Sequence, residues 1–241
     1  MHLSVVVPCF NEEGNIADVV REAAAVGRSL ASQLEIVVVD DGSTDGTPEV
    51  LHRLGDAVPE LAMVRHEVNR GYGAAVRTGL AQASHEYVFL TDGDGQFDLR
   101  DLPRAAALLR SHDVVAGYRR SRSDGRWRAL WGRSWTGLVN AAFGLQIRDV
   151  NCAFKLVPQR LLRSATLSSD GALISAELLY QARRSRMRIA QVPVSHLPRR
   201  SGTQSGASLR VILLAFVEFA ALMAQRGAHR WSPPSRTSYS D

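Results

Sequence analysis

The first 95 residues repeat one pattern, an apolar run of strand type followed by a polar turn and a segment with helical spacing. The apolar runs are LSVVVP, LEIVVVDD, LAMVR and YVFLT, which begin at residues 3, 34, 61 and 87. Strands that are apolar throughout are typical of sheets with both faces covered. Because these strands alternate with helices, the pattern predicts an α/β chain with a mainly parallel sheet and helices on both faces.

Polar residues stand where each of these strands ends. In chain order they are Asn11 and Glu12, Asp40 and Asp41, Asn69 and Arg70, and Asp92 and Asp94. In open α/β sheets, ligands bind beyond the carboxyl ends of the strands. The sequence therefore predicts a single site to which four successive strands contribute.

The fourth strand runs into DGDGQ, residues 92–96. Two carboxylates two residues apart, with glycines that allow a sharp turn, can direct oxygens at one hard divalent cation. Asp92 and Asp94 are thus candidate ligands of Mg²⁺ or Mn²⁺, and Gln96 can add a neutral oxygen. A solvated turn is the alternative, since Asp and Gly are common in turns. An EF-hand loop does not fit, because it requires glycine where Phe97 stands.

Charge is unevenly distributed along the chain, although the formal net charge is only +5. Residues 1–118 hold 9 arginines and 18 acidic residues, whereas residues 119–241 hold 20 basic and 6 acidic residues. The acidic half favours a metal ion, or the base and ribose of a nucleotide. The basic half favours phosphates or an anionic membrane surface. Nucleic acid is not among the predicted partners.

Two apolar segments in the basic half indicate amphipathic helices. Residues 125–145 place three tryptophans on one face next to six arginines between residues 119 and 133, which favours a helix at a lipid surface over a core helix. Residues 211–224 carry only Glu218 as a charge and are too short to span a membrane. We expect them to be buried, paired with a partner chain or laid against lipid.

The predicted organisation is a catalytic domain over residues 1–208, an apolar helix over 209–228 and a tail over 229–241. Cys9 and Cys152 are too few for a disulfide framework, and no signal peptide precedes the first strand. These features predict a cytoplasmic protein that contacts the membrane peripherally.

Seven segments of the chain occur in the order and spacing that are typical of one protein family. The segments are VVVPCFNEEGNI, IVVVDDGSTDGT, NRGYGAAVRTGL, TDGDGQFD, VAGYRR, DVNCAFKL and QVPVSHLPRRSGTQSG. Together they resemble the family 2 glycosyltransferases with the GT-A fold, most closely the polyprenyl-phosphate and dolichyl-phosphate sugar transferases. The likeness runs from about residue 3 to residue 208. It implies a Rossmann-like GT-A fold.

The resemblance also implies an activity, namely metal-dependent, inverting transfer of a hexose from a UDP- or GDP-sugar to a polyprenyl phosphate. It places the enzyme at the cytoplasmic face of the membrane. A separate membrane protein or a second copy of the chain is a further candidate partner.

The resemblance implies roles for individual residues. Pro8, Phe10 and Glu12, together with Asp41, match the positions that hold the base and ribose of a nucleotide-sugar. Asp92 and Asp94 match the metal-binding pair, which Gln96 assists, and the metal held by Asp94 assists departure of the diphosphate. Asp40 and Arg70 complete the candidate nucleotide contacts.

In the basic half, Arg119 and Arg133 match arginines that contact the acceptor or donor phosphate. Asp149 begins a motif in which Ala153 replaces the usual glycine, a change that could narrow the acceptor channel. Near Arg199 the lysine that often closes the segment is replaced by Ser205 or its neighbours, so Arg199 and Arg200 are the candidate phosphate contacts there.

The acceptor decides whether a general base is needed. A lipid phosphate is anionic at neutral pH and needs none, whereas a hydroxyl acceptor does, and Asp149 or Glu177 is then the candidate. For Glu177, an acid on a helix surface is the alternative. Transfer to a hydroxyl, on a polysaccharide or a small molecule, is the alternative function within the same fold.

Two other classes of function compete with transfer. GYGAAV, residues 71–76, resembles an incomplete dinucleotide-binding loop with Val76 at the third glycine position, which would suit an NAD(P)-dependent oxidoreductase. A nucleotide-binding module without catalysis is the other, and the intact Asp92 and Asp94 argue against it.

Overall fold

The computed structural model describes residues 1–120, 126–199, 201, 217–220 and 223, without the side chains of 126–131 and 133. Strands and helices alternate along about the first two thirds of the chain. Their order is β1 (His2–Cys9), α1 (Ile16–Leu30), β2 (Gln33–Asp40), α2 (Thr47–Gly55), β3 (Leu61–Arg65), α3 (Tyr72–Gln82), β4 (Tyr87–Leu90), α4 (Leu102–Ala107), β5 (Val114–Arg119), α5 (Arg126–Phe143), β6 (Lys155–Pro158), α6 (Gln159–Ser164), α7 (Ile174–Arg184) and β7 (Ile189–Val194).

The strands form one seven-stranded sheet in the order β3-β2-β1-β4-β6-β5-β7. β1 is parallel to β2 and β4, β2 is parallel to β3, and β5 is parallel to β7. β6 runs antiparallel to both of its neighbours, β4 and β5. The predicted mainly parallel α/β sheet is therefore confirmed, with one reversed strand that the sequence did not predict.

Helices cover both faces of this sheet, as the apolar strands predict. Successive residues of β1 alternate between two hydrophobic cores, since Val5 and Val7 belong to one and Val6 to the other. The first core is shared with α1, α2 and α4, and the second with α3, α5, α6 and α7. α3 lies close to the sheet because residue 79 is glycine: a Cβ there would lie 2.4 Å from Cγ1 of Val6.

One edge of the sheet collects the segments that matter for function. The five strands from β1 to β5 all run toward this edge, which we call the site edge. β6 runs the opposite way, so its first residue, Lys155, lies there and pairs with Leu90 and Ala116. As a result, residues 149–154, which lead into β6, join the loops that leave the parallel strands.

Near the end of the chain, residues 217–220 and 223 are helical. The Phe219 ring packs against Trp135 and Phe143, with centroids 5.8 and 5.6 Å apart. The predicted boundary at residue 208 and the tail over 229–241 lie outside the described residues. Within the described ranges, every helix is too short or too polar to cross a membrane.

Candidate active site

The two acidic residues of DGDGQ lie at the site edge, just after β4. Gly93 donates its N–H to the Pro8 carbonyl at 3.2 Å, so the turn packs against the end of β1. Gly95 has a φ of 69°, in the left-handed region that favours glycine. Asp94 Oδ1 accepts the Gln96 N–H at 3.0 Å, which fixes the turn internally.

The Asp92 carboxylate is the most unusual polar group of this turn. It lies near the Tyr72 hydroxyl, yet its Oδ1 is buried and finds no hydrogen-bond partner in the described part of the chain. Burial, reinforced by the neighbouring Asp94, raises the pKa of Asp92 to about 7. A buried oxygen without a partner beside a second carboxylate is unfavourable unless a cation joins them.

The donor set suits a hard divalent cation. Among the described residues no third acidic, histidine or cysteine side chain completes a cluster with this pair. Mg²⁺ is usually bound by one or two carboxylates together with water and substrate phosphates, so a two-carboxylate site fits that preference. Gln96, the predicted third ligand, is buried and donates its amide N–H to the Leu197 carbonyl at 3.2 Å.

The pKa of Asp92 gives a pH-dependent prediction. Because the folded state holds this proton up to about pH 7, against an ordinary value of 3.8, its contribution to the free energy of unfolding falls as pH rises from about 4 to 7. We expect Asp92→Asn to remove this loss, so that in EDTA the variant gains stability over the unmodified protein at pH 8 relative to pH 5. Urea unfolding at both pH values measures the difference. Identical pH dependence in the two proteins would contradict it.

Asp41 organises the turn before α3. Its Oδ1 accepts hydrogen bonds from His66 Nδ1 at 2.7 Å and from the Arg70 N–H at 2.9 Å, and its Oδ2 accepts the Gly71 N–H at 2.9 Å. The Arg70 side chain is exposed. Both oxygens of Asp41 thus already accept hydrogen bonds from the protein. Its direct contact with a nucleotide stays a prediction.

Asp40 is fully buried. Its Oδ1 accepts the Ser43 N–H at 2.9 Å, and its Oδ2 lies 3.2 Å from Nε of Arg65. Oδ1 thus serves the loop after β2, whereas Oδ2 faces the last residue of β3 without a hydrogen bond among the described residues. The nucleotide contact predicted for Asp40 stays a prediction, and the carboxylate is fully buried.

The loop after β1 is tied to the loop after β2. The Asn11 N–H donates to Ser43 Oγ at 2.9 Å, and the Glu12 N–H donates to Thr47 Oγ1 at 2.8 Å. Phe10 remains 39% exposed at this position. An exposed aromatic ring held by two anchored loops can stack on a nucleotide base.

Arg199 joins the first loop to the acidic turn. Its guanidinium pairs with Glu12 Oε1, lies 3.7 Å from Asp94 Oδ2 and donates to the Ser201 carbonyl at 2.7 Å. The segment that carries it is held by the Leu197 N–H, which donates to the Gln96 carbonyl at 2.7 Å. The structure therefore brings Glu12, Asp94 and Arg199 together from distant parts of the sequence.

Arg119 and Asp149 form a two-point ion pair at the same edge. Arg119 Nε and Nη2 donate to the two carboxylate oxygens at 2.7 and 2.9 Å, and the side chains are 11% and 13% exposed. A carboxylate with both oxygens held by a guanidinium is a weak proton acceptor. The ion pair fixes the Arg119 guanidinium at the site edge, and a guanidinium is a group that binds phosphate.

Glu177 lies inside the protein, against the turn that begins at Ser168. It is 1% exposed, and its carboxylate accepts the N–H groups of Ser168 and Ser169 at 3.0 Å and the Ser168 hydroxyl at 2.9 Å. The alternative of a helix-surface acid is therefore wrong. As a candidate base it stays untested, but its oxygens are committed to the turn that begins at Ser168.

Two residues that the sequence did not single out for the site lie next to Asp92. The Tyr72 hydroxyl lies near the Asp92 carboxylate, and the fully buried Lys155 donates Nζ to the carbonyls of Val150 and Cys152. Burial lowers the pKa of Lys155, and the charge of Asp92 is among the influences that oppose this. The signal available in the sequence was that Lys155 is the single lysine of an arginine-rich chain.

The loop compared with a dinucleotide motif is filled by the protein itself. The Gly73 N–H donates to the Asp170 carbonyl at 2.7 Å, and a Cβ at Gly73 would lie 2.4 Å from the Ser169 carbonyl oxygen. These glycines allow close approach of residues 168–171, which leaves no room for a pyrophosphate. The oxidoreductase interpretation is therefore not supported. Arg133, the remaining predicted site residue, has its side chain outside the described residues.

The sequence matches a family and several relatives. The family model described as Glycosyl transferase family 2 matches residues 4–169. The chain is 28% identical over 217 residues to the undecaprenyl-phosphate 4-deoxy-4-formamido-L-arabinose transferase of Pseudomonas paraeruginosa (strain DSM 24068 / PA7), covering 89% of this chain and 63% of that protein. It thus spans less than two thirds of that relative. An uncharacterized glycosyltransferase of Mycobacterium tuberculosis (strain ATCC 25618 / H37Rv) is 32% identical over 224 residues, covering 90% of this chain and 95% of that protein.

The fold matches a solved structure of glucosyl-3-phosphoglycerate synthase from Mycobacterium tuberculosis. That crystal structure contains Mn²⁺, UDP and glucosyl-3-phosphoglycerate. The TM-score is 0.70 at 23% sequence identity, over 100% of this chain and 84% of the other. At this identity the likeness concerns the fold, and it agrees with the GT-A architecture expected from the sequence.

Proposed function

Because this chain belongs to glycosyl transferase family 2, we propose that it transfers a hexose from a UDP- or GDP-sugar to a polyprenyl phosphate. The transfer requires Mg²⁺ or Mn²⁺, inverts the anomeric centre and takes place peripherally at the inner face of the cell membrane. Family membership supports the reaction class. The polyprenyl-phosphate acceptor is supported by the name of a relative that this chain resembles over most of its length.

The residues of the acidic half bind the donor in this proposal. Asp92 and Asp94 hold the metal ion, which stabilises the negative charge that develops on the departing diphosphate. The exposed Phe10 ring stacks on the base, and the loop joined by Glu12 and Thr47 supports it. Arg199, now shared between Glu12 and Asp94, lies where it can turn to a donor phosphate.

The choice of a phosphate acceptor rests on one observation: the carboxylates of both candidate bases are already bound by other groups of the protein. Asp149 is held by Arg119 at both oxygens, and Glu177 accepts three hydrogen bonds in a buried turn. A hydroxyl acceptor would need one of these carboxylates to remove its proton. A phosphate oxygen is already anionic and needs only to be oriented, which the guanidinium of Arg119 can do.

A transfer assay tests the proposal. Purified protein is mixed with detergent-dispersed undecaprenyl phosphate, Mn²⁺ and each of a panel of labelled UDP- and GDP-sugars, and product is recovered in organic solvent. We expect label in an acid-labile lipid product with one donor, and none when EDTA replaces Mn²⁺.

Other results of this assay separate the alternatives. Label in a water-soluble or polysaccharide product, with none in lipid, would favour a hydroxyl acceptor. Metal-dependent binding of a nucleoside diphosphate without any transfer across the panel, measured by thermal shift, would favour a binding module and contradict the proposal.

A further inference from the structure

One side chain from the helical residues 217–220 reaches into the body of the protein. Glu218 Oε1 accepts the N–H groups of Asp170 and Gly171, at 3.0 and 2.7 Å. The contact is close, since a Cβ added at Gly171 would lie 2.9 Å from Oε2 of the glutamate. Glu218 is the only charged residue between positions 211 and 224. Its carboxylate therefore anchors an otherwise apolar stretch to residues 168–171, which we call the linking turn.

The linking turn is bound on its other side by the start of α3. The Asp170 carbonyl accepts the Gly73 N–H at 2.7 Å. Arg77, one turn further along α3, donates to the carbonyls of Ser168 and Ser169 at 2.9 and 2.5 Å. The linking turn thus lies between Glu218 and the first turn of α3. Its backbone N–H groups bind Glu218, and its backbone carbonyls bind α3.

The first turn of α3 is also in contact with the candidate metal pair. Tyr72 lies between the two closely packed glycines, and its hydroxyl is near the Asp92 carboxylate, since burial and then the charge of Asp92 raise the pKa of Tyr72. The N–H group of the preceding Gly71 is held by Asp41. A short series of hydrogen bonds therefore leads from Glu218 through the linking turn to the first turn of α3, where Tyr72 lies near Asp92.

We infer that Glu218 is a positioning residue for the metal pair. By binding the linking turn it fixes the first turn of α3, and so holds the Tyr72 hydroxyl against Asp92 in the orientation that receives the cation. Its consequence for transfer rests on the proposed function, whereas its effect on α3 is a property of the metal-free protein. Displacement of residues 217–220 from this contact lowers the affinity of the site for its metal.

Two measurements test this inference on the full chain. Amide hydrogen exchange reports on Gly73 and the linking turn in metal-free protein, and Mn²⁺ titration followed by electron paramagnetic resonance gives the Kd of the metal. We expect Glu218→Ala to accelerate exchange at Gly73 by at least about 5-fold and to raise the Mn²⁺ Kd by at least about 3-fold. Glu218→Gln keeps one carbonyl oxygen and should retain most of both properties. Glu49→Ala, an exposed glutamate on α2, should change neither.

A second substitution tests the route. In a Tyr72→Phe background the hydroxyl is absent, so the added effect of Glu218→Ala on the Mn²⁺ Kd should largely disappear. Faster exchange confined to residues 168–171, or an unchanged Kd in folded Glu218→Ala, would overturn the inference. Failure of the unmodified protein to bind Mn²⁺ would instead count against the proposed function, whatever the exchange data show.

Discussion

Replacing Asp94 with asparagine is expected to lower transfer about 100- to 1,000-fold, the size seen when one electrostatic contact to a developing charge is lost. Asparagine preserves the shape of the turn and can still accept the Gln96 N–H that Asp94 binds at 3.0 Å. It removes one of the two charges that we propose to hold the divalent cation. Nucleoside diphosphate binding should then no longer strengthen on addition of Mn²⁺, as isothermal titration calorimetry with and without the metal would measure.

A neighbouring aspartate supplies the matched control. Asp98 lies four residues further along and pairs with Arg100 in an exposed contact at 2.8 Å. Asp98→Asn changes the net charge of the same loop by the same amount, yet we expect nearly full activity. Equal losses of transfer activity in the two variants would show that only the overall charge of the loop matters. That result would contradict the proposed role of Asp94 as a metal ligand.

Arg119→Ala is expected to impair both stability and transfer. Removal of one partner from a largely buried ion pair costs about 3–5 kcal/mol of unfolding free energy. Asp149, 13% exposed and held at both oxygens, would lose this two-point partner. We also expect transfer to fall about 100-fold or more, because the guanidinium that we propose to orient the acceptor phosphate is gone.

Two further variants separate these effects. Adding Asp149→Ala to Arg119→Ala removes the carboxylate that has lost its two-point partner, so urea unfolding should show much of the stability restored while transfer stays low. Arg119→Lys keeps a charge but cannot form the two-point pair, and should fall between the unmodified protein and Arg119→Ala in transfer. Recovery of transfer in the double variant would mean that Arg119 matters only for folding.

The half of the site that follows the parallel strands could be predicted from the sequence. Apolar strands in alternation with helices determine a parallel sheet, and the sheet brings its strand ends to one edge. The acidic turn after β4 and the loop after β1 therefore had to be neighbours, as the 3.2 Å hydrogen bond from Gly93 to Pro8 shows. Long-range pairing was not needed for this prediction.

The reversed strand β6 could not be predicted in the same way. Lys155–Pro158 has four residues, and no turn residues separate it from α6, which begins at Gln159. Its apolar residues are equally compatible with a buried helix segment. Once β6 is placed, Lys155 must lie beside Asp92 at the site edge. Because β6 could not be predicted, the position of the buried Lys155 side chain could not be predicted either.

The hydrogen-bond partners of the acidic side chains also could not be predicted from the sequence. A sequence shows that Asp40, Asp41 and Glu177 are acidic, but not that backbone N–H groups approach each of them in the fold. Those N–H groups come from loops whose path depends on long-range packing. For this reason acidic residues that shape loops and acidic residues that bind ligands look alike until the fold is known.

The contact of Arg199 with Glu12 and Asp94 has a consequence for synthesis of the protein. Asp94 leaves the ribosome about a hundred residues before the arginine that lies beside it in the finished fold. At about 5–20 residues per second, this interval lasts roughly 5–20 s. During that time the two carboxylates lack their guanidinium neighbour, so a cellular cation such as Mg²⁺ can act as counter-ion to the nascent chain. A metal ion bound there would accompany the acidic half through folding before it serves in the proposed reaction.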